Sequence, residues 1–344
     1  MASSRPRLAL TLGDANGIGP EILLRALAHD EVWSVCRPLV LGRAEILKDV
    51  ARAAALPCEI DGAQLVVGGR AAELIEIDVD VDHHPGAPDC ADAGLLAGRT
   101  IECAAQMALV GEVRGVVTMP ISKRGLNAGG YRYPGHTEML AAIAGGTPLM
   151  ILACSTMRVG LVTIHTPLAD VPSQMTSGRV AATIRALASA LRNDWGISAP
   201  RVAVLGLNPH AGESGTIGME EVESIAPAVQ LVQREGIDAR GPYPADGFFA
   251  RYHADDWDGI VAMYHDQGLI PLKMAARGGG VNVTAGLPIV RTSPDHGTAY
   301  AIAGRGVADE RSTVEAVLLA AGIAERRATA PETEGSQEGE PGVP

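Results

Sequence analysis

The chain alternates short runs of apolar, often β-branched residues with longer stretches whose apolar positions recur at helical spacing. The short runs are typical of strands buried on both faces of a sheet, and the longer stretches are typical of amphipathic helices. This alternation predicts an α/β protein with mainly parallel strands. The predicted strands include LALTLGD, RPLVLGR, GVVTMPIS, MILACST and RVAVLGLN. Helices are expected over 95–112 and in RVAATIRALASALRNDWG, and the alternating EIDVDVD, residues 76–82, predicts an exposed or edge strand.

Three of the nine histidines stand at the ends of similar apolar runs: His165 in VGLVTIHTP, His210 in VAVLGLNPH and His265 in GIVAMYHDQ. Ligands of open α/β sheets collect beyond the carboxyl ends of the strands, and neutral imidazole binds divalent transition metals well. The three together therefore predict a metal site with open coordination positions. Any one of them alone would more often cap a strand or fill the core.

Length and composition narrow the class of protein. The 344 residues exceed one ordinary domain and predict two, and 47% apolar with 20% charged residues indicates a globular chain. A formal charge of -12 without a basic cluster argues against nucleic acid as a partner. We expect a cytoplasmic protein, because no apolar run reaches the roughly 18 residues of a membrane span and the first residues lack a signal peptide. The Pro-, Gly- and Glu-rich residues 326–344 predict a disordered tail.

Two glycine-rich segments are candidates for ligand binding. TLGDANGIGPEIL, residues 11–23, joins a strand to a helix through Gly13, Gly17 and Gly19. Its glycines allow either a tight structural turn or close approach of a ligand, and the spacing is not the GxGxxG fingerprint of dinucleotide sites. DHGTAYAIAGRGVAD, residues 295–309, offers small side chains against which a flat ring or ribose could lie.

Two further segments offer polar side chains for an anionic substrate. PGHTEML places His136 and Thr137 after a loop, which favours either a helix start or a contact with an anion. Lys273, Asn282 and Arg291 recur every nine residues through a glycine-dense stretch. They could close around a phosphate or carboxylate, and solvation at the surface is the ordinary alternative.

From about residue 7 to 325 the chain resembles the 4-hydroxythreonine-4-phosphate dehydrogenases of pyridoxal 5'-phosphate biosynthesis. The strings that carry the resemblance are TLGDANGIGPE, PISKRGLNAGGYRYPGHTEML, GLNPHAGESGTIGMEE, GPYPADGFF, AMYHDQGLIPLK, GVNVTAGLPIVRTSPDHGTA and AGRGVAD. That family is distantly related to isocitrate and isopropylmalate dehydrogenases, whose GDGIGPE and HGSAPDIAG segments resemble residues 13–21 and 296–304. The resemblance implies a two-domain α/β fold with an interdomain active-site cleft.

The resemblance also implies an activity and a division of the chain. The activity is NAD-dependent oxidation of 4-phosphohydroxy-L-threonine by a homodimer with shared active sites and one divalent metal (Zn, Mg, Mn or Co) per site. Residues 1–125 plus 270–325 would form the cofactor-side domain, and residues 126–269 the metal and dimerisation domain.

The same resemblance assigns roles to individual residues. The metal would be held by histidines from both subunits, namely His165, His210 and His265. The substrate would contact His136, Thr137, Lys273, Asn282 and Arg291. Asp246 and Asp266 would maintain the site, with Asp266 or a metal-bound water as possible general bases. NAD would lie near Gly17 and Gly19 and along His296, Gly297, Thr298 and Ala299.

Several alternatives stay open at this point. Branches of the family oxidise threonate or erythronate 4-phosphate or a cis-dihydrodiol dicarboxylate, and retention of the five substrate residues favours a phosphorylated substrate. A metal-dependent phosphoesterase and a non-enzymatic metal-binding protein are alternatives of other classes. The family loop is commonly GDPAGIGPE, whereas Ala15 and Asn16 follow Asp14 in this chain, so that the missing proline loosens the turn.

Overall fold

A computed structural model describes residues 5–329, which form one mixed sheet of thirteen strands with helices on both faces. The strands are β1 Arg7–Thr11, β2 Arg37–Gly42, β3 Cys58–Asp61, β4 Gln64–Val67, β5 Arg70–Glu76, β6 Gly115–Thr118, β7 Leu149–Cys154, β8 Met157–Leu161, β9 Val202–Leu205, β10 Ala239–Tyr243, β11 Gly259–Ala262, β12 Val281–Ala285 and β13 Arg291–Pro294. Their order across the sheet is β10-β9-β11-β8-β7-β12-β13-β6-β1-β2-β5-β4-β3. The α/β prediction is confirmed.

Helices follow most of the strands. They are α1 Gly19–Leu27, α2 Asp30–Val35, α3 Ala44–Ala53, α4 Ala91–Leu109, α5 Lys123–Ala128, α6 His136–Ala144, α7 Ser177–Asn193, α8 Ala226–Arg234, α9 Ala245–Ala250, α10 His265–Ala276 and α11 Arg311–Thr329. Short 3-10 turns cover Leu168–Asp170, Pro172–Gln174 and Tyr300–Ile302, Pro209–Gly215 is a turn with left-handed backbone, and a π-helical turn, Glu221–Ile225, leads into α8. Across residues 5–329, no helix combines the length and the apolar character that crossing a membrane requires.

The sheet is parallel in two groups rather than throughout. One group is β5, β2, β1, β6 and β13, and the other is β8, β11, β9 and β10. Between them, β12 runs antiparallel to both β13 and β7, and β7 runs antiparallel to β8. Seven of the twelve strand pairings in the described residues are parallel, so the prediction of mainly parallel strands holds; the antiparallel pairings lie at this join and at the edge formed by β3, β4 and β5.

The central strands are buried because helices cover both sides of the sheet. In β1, Leu8 and Leu10 pack into the core on one face, whereas Ala9 packs into the core on the other. A strand of this kind cannot alternate apolar with polar residues, since both of its faces avoid water. This burial explains the continuous apolar runs in the sequence.

The predicted strand at 76–82 is wrong. β5 ends at Glu76, and no regular element covers residues 77–90. The N–H of Ile77 still donates to the carbonyl of Gly42 at 2.9 Å, but Gly42 is the last residue of the neighbouring strand β2. The alternating residues therefore lack a backbone partner and leave the sheet despite their suitable pattern.

The chain stays helical beyond the expected end of the ordered part. α11 continues to Thr329, four residues into the segment expected to be a disordered tail. Arg327 holds it there, since Nε donates to Oδ1 of the buried Asp194 at 2.7 Å. The rest of that segment, residues 330–344, lies outside the described residues.

The strands are grouped along the sheet by their position in the chain. Residues 126–269 supply β7 to β11 on one side, and the other stretches supply the remaining strands. Hydrogen bonds between β7 and β12 make the sheet continuous between the two sets. The expected division into two domains stays a prediction.

Close packing of α4 on α5 depends on Gly94. A Cβ at Gly94 would lie 1.8 Å from the carbonyl oxygen of Gly125, so the two helices would have to move apart. We predict that Gly94→Ala lowers the free energy of unfolding by about 1–3 kcal/mol, the usual cost of overpacking. Gly178→Ala in α7 is the control, because nothing lies within 4 Å of its Cβ position. Equal stability of the two variants in urea denaturation would contradict this account.

Candidate active site

A cavity of about 330 Å³ lies over the join between the two parallel groups of strands. Strands β6, β7, β12 and β13 line one part of it, and the starts of α5, α6 and α10 line another. Polar residues at the wall include Thr118, Lys123, His136, Thr137, Glu138, His165, His265, Asn282, Arg291, Ser293, Asp295 and His296. Four of the five predicted substrate residues are among them.

Arg291 is the buried cation of this cavity. Its side chain is 2% exposed, and its guanidinium donates to the hydroxyls of Thr118, at 2.8 and 3.2 Å, and of Thr284, at 2.9 Å. No carboxylate within residues 5–329 lies within ion-pair distance of it. Burial lowers the pKa of Arg291 to about 10, which leaves it charged at neutral pH. A buried charge without a counterion is costly, so this site favours an anion.

His136 and Asn282 flank Arg291 with buried polar atoms. Nε2 of His136 and Oδ1 of Asn282 have no hydrogen-bond partner in the described part of the chain. Burial and the positive charge of Arg291 hold the pKa of His136 well below its ordinary value, so the ring is neutral. His136 and Thr137 are the first residues of α6, and both line the cavity. The sequence offered a helix start and a ligand contact as alternatives, and the structure combines the two positions.

His165 and His265 face each other in the same cavity, with ring centroids 6.0 Å apart. Their strands, β8 and β11, are parallel neighbours, which brings both carboxyl ends to one edge as expected. Nδ1 of His265 lies 2.7 Å from Oδ1 of Asp266, which leaves Nε2 available to a ligand. Burial, with the nearby charge of Lys123, lowers the pKa of His165 and favours the neutral ring that binds metals.

His210 does not join the other two histidines within this chain. It lies beside a second cavity of about 560 Å³, together with Asp246 and Asp266. In the described residues, no group of three His, Cys, Asp or Glu side chains is placed to hold a metal. The predicted three-histidine set is therefore not assembled within the described part of this chain.

The loop that carries His210 is held by a carboxylate that sequence reasoning missed. Backbone φ is positive at each residue from His210 to Ser214, a conformation that costs energy outside glycine. Buried Glu221 supports it, since Oε1 accepts from the N–H groups of Leu207 and Asn208, both at 2.7 Å. The GMEE string offered the signal, an acidic pair shortly after the NPHAGE loop.

A lysine other than the predicted one lines the first cavity. Lys273 is exposed on α10 and does not line it, whereas Lys123 at the start of α5 does. Glu138 and Asp295 were also missed. Lys123 follows the buried strand β6 within a few residues, which is the same placement that drew attention to the three histidines.

The two glycine-rich segments lie against each other. The N–H of Ile18 donates to the carbonyl of Thr298 at 2.9 Å, and a Cβ at Gly17 would lie 3.0 Å from Thr298. At Gly19, a Cβ would lie 2.5 Å from the carbonyl oxygen of Leu12. These two glycines thus permit close backbone packing within the protein. His296 and Gly297 line the cavity.

Comparison with known proteins identifies the family. The profile of the family "Pyridoxal phosphate biosynthetic protein PdxA" matches residues 34–320. A 4-hydroxythreonine-4-phosphate dehydrogenase of Erythrobacter litoralis is 44% identical over 337 residues, which cover 96% of this chain and 100% of the relative. A D-threonate 4-phosphate dehydrogenase of Cupriavidus necator is 42% identical over 334 residues, with 95% and 100% covered.

A solved structure agrees with these relatives. The 4-hydroxythreonine-4-phosphate dehydrogenase of Klebsiella pneumoniae superimposes with a TM-score of 0.82 at 38% identity, covering 93% of this chain and 99% of that one. The fold and these similarities define an α/β oxidoreductase. The chain belongs to the PdxA family.

The neutral state of His136 makes stability depend on pH. The pKa of His136 is below 6.5 in the folded protein and near 6.5 in the unfolded chain, so the unfolded chain binds the extra proton as pH falls. We predict that His136 alone lowers the free energy of unfolding by about 1.4 kcal/mol between pH 7.5 and 5.5.

Urea denaturation of His136→Gln at the two pH values tests this prediction, since the variant loses that contribution. His83, whose pKa burial also lowers, acts in the same direction and stays in both proteins. Exposed His253→Gln is the control and keeps the full pH dependence. Identical pH dependence in wild type and His136→Gln would contradict this account, because His136 would then bind its proton equally well in the folded and unfolded states.

Proposed function

We propose that the protein uses NAD and one divalent metal ion to oxidise 4-phosphohydroxy-L-threonine to 2-amino-3-oxo-4-phosphooxybutanoate. This 3-oxo acid then loses carbon dioxide to give 3-amino-2-oxopropyl phosphate, a step of vitamin B6 biosynthesis. The observation that carries the proposal is the buried Arg291, which forms no ion pair among the described residues, in a cavity that also holds two facing imidazoles. Membership of the PdxA family supports the same reaction.

The phosphate of the substrate binds at Arg291. Three of the five N–H donors of this guanidinium are used by threonine hydroxyls, which leaves two for phosphate oxygens. The hydroxyl of Thr137 supplies a further donor beside it, whereas the single N–H of neutral His136 donates to the backbone carbonyl of Met119. Since the ion is dianionic, it relieves the cost of burying Arg291.

The donor set of the cavity fits a divalent metal. His165 and His265 supply two neutral imidazoles, and Asp266 fixes the ring of His265 by accepting from Nδ1. Nitrogen ligands suit zinc or cobalt better than magnesium or manganese. The partner subunit's His210 completes the set in this proposal. When bound, the metal supplies Lewis acidity at the substrate hydroxyl.

The wall near His296 fits the cofactor. Nε2 of His296 is buried without a hydrogen-bond partner among residues 5–329. A Cβ at Gly297 would meet nothing within 4 Å, so a flat ring has room against the backbone. Thr298 and Ala299 follow in the chain, and Thr298 lies 3.0 Å from the Cβ position of Gly17. NAD held by these residues would supply a hydride acceptor, while Arg291 would hold the substrate in position for the transfer.

The shared site requires a homodimer, and the surface supports one. Large apolar side chains are exposed on the half of the sheet that carries β7 to β11, including Leu168 (70%), Ile270 (59%) and Met274 (75%). Ile270 and Met274 flank Lys273 on the exposed side of α10. An interface there covers these apolar groups and gives the partner subunit's Lys273 a place at the substrate.

D-threonate 4-phosphate is the second candidate substrate. The Cupriavidus necator relative favours it, because its identity to this chain, 42%, is close to the 44% of the Erythrobacter litoralis enzyme. The two substrates differ at one substituent, amino or hydroxyl, on the carbon next to the carboxylate. Both carry the phosphate that Arg291 selects, so binding at Arg291 cannot separate them.

Turnover with defined substrates tests the proposed function. We expect NADH formation with 4-phosphohydroxy-L-threonine to exceed that with threonate or erythronate 4-phosphate, to disappear on chelation and to return with a divalent metal. Arg291→Met should lower kcat/KM by about 100-fold or more, because a charge-assisted bidentate contact is lost. Preference for a sugar-acid phosphate would assign the second candidate, and turnover that survives chelation would contradict the metal site.

Mixed dimers test the sharing of the site. His210→Ala and His265→Ala should each be inactive alone. After subunit exchange, half of the dimers are mixed and each has one intact site, so about one quarter of wild-type activity should return. A mixture of His165→Ala with His265→Ala is the control. It stays inactive, because each site takes both of these histidines from the same subunit, so every site of a mixed dimer lacks one of them. No recovery in the first mixture would place all three histidines in one subunit.

A further inference from the structure

Lys123 is held at the mouth of the active-site cavity by its local structure. Ser122 caps α5 by accepting from the N–H of Gly125 at 3.0 Å, which fixes the backbone at Lys123. The side chain then passes over the turn before α6, since its Cε lies 3.7 Å from the Cβ position of Gly135. This course brings the ammonium to the wall shared with His165 and Glu138.

The ammonium of Lys123 is not engaged by the protein. Within residues 5–329, no carboxylate lies within 4 Å of it, and Lys123 forms no side-chain hydrogen bond. Arg124, the next residue, points away and pairs with Asp89 at 3.8 Å. Arg124 is thus paired at the surface, whereas Lys123 faces the cavity without an ion pair to any residue that the structure describes. Glu138 lies on the same wall, with Oε2 3.5 Å from the Cβ position of Gly135, but not within 4 Å of the ammonium.

The two cations of the cavity match a substrate with two anionic groups. Arg291 provides a buried fork with two free donors, and Lys123 provides a mobile point charge nearer the paired imidazoles. A phosphate with three acceptor oxygens suits the enclosed end, where Arg291, His136 and Thr137 converge. The second anion of a phosphorylated acid, its carboxylate, is next to the reacting carbons and therefore next to the imidazoles.

We propose that Lys123 binds the carboxylate of the substrate and makes the enzyme specific for phosphorylated acids over phosphorylated alcohols. The inference rests on the proposed function and applies equally to 4-phosphohydroxy-L-threonine and to threonate 4-phosphate, because both carry this carboxylate. It adds Lys123 to the substrate contacts that the resemblance implied.

The contact should affect binding more than the chemical step. The carboxylate is present both in the bound substrate and in the transition state for hydride transfer, so Lys123 stabilises the two equally. Loss of such uniform binding raises KM and leaves kcat nearly unchanged.

The test compares Lys123→Met with Lys123→Arg, which keeps the charge, and with Arg124→Met as the control. For the preferred phosphorylated acid, Lys123→Met should raise KM about 10- to 100-fold with kcat within about threefold of wild type. Lys123→Arg should recover most of the affinity, and Arg124→Met should behave as wild type.

A truncated ligand separates the carboxylate from the phosphate. The inhibition constant of 3-amino-2-hydroxypropyl phosphate, which lacks the carboxylate, should be the same for wild type and Lys123→Met. Arg291→Met should weaken the same ligand strongly. An equal loss of affinity for acid and truncated ligand in Lys123→Met would overturn the assignment, as would an unchanged KM or a fall confined to kcat.

These outcomes also separate this inference from the proposed function. If wild type oxidises none of the three phosphorylated acids, the proposed function fails and the role of Lys123 fails with it. If wild type oxidises one of them and Lys123→Met matches it in KM, only the role of Lys123 fails.

Discussion

The antiparallel join at β7, β12 and β13 is the constraint on which the site depends. Two groups of parallel strands of opposite direction meet there in one hydrogen-bonded sheet. Parallel strands alone would send all their carboxyl ends to one edge. Because the direction reverses at the join, Arg291 of β13 and Asn282 of β12 face the same cavity as the loops after β8 and β11. Residues far apart in the chain thus surround one substrate-sized space.

Electrostatics explains why this space suits a small anion in a chain of net charge -12. The overall charge repels polyanions, but binding a small phosphate depends on local groups. Arg291 is buried against threonine hydroxyls rather than carboxylates, so its charge is not cancelled. The same charge contributes to keeping His136 neutral, and the one N–H of the neutral ring donates to the backbone carbonyl of Met119. Burial of one cation therefore determines the state of its neighbour.

The separation of His210 from His165 and His265 has a structural origin. β11 lies between β9 and β8, and residues 265 and 266 at its end turn towards different cavities. His265 faces His165, whereas Asp266 lies at the wall that carries His210 and Asp246. Gln267 links the carboxyl ends of β9 and β11, since its side chain donates to the carbonyl of Gly206 and accepts from the N–H of Met263. A metal site completed between subunits fits this arrangement.

The sequence by itself determined the α/β class, most strands and the histidines at strand ends. Strands buried on both faces have continuous apolar runs, and such runs can be recognised in a short stretch of sequence. It failed at EIDVDVD, since a strand needs a neighbour and β2 ends at Gly42. Only the tertiary structure decided that Lys123 rather than Lys273 lines this chain's cavity, and that Arg291 is buried without a counterion. The exposure and the ion pairing of a charged side chain depend on residues distant in the chain, so no local sequence pattern predicts them.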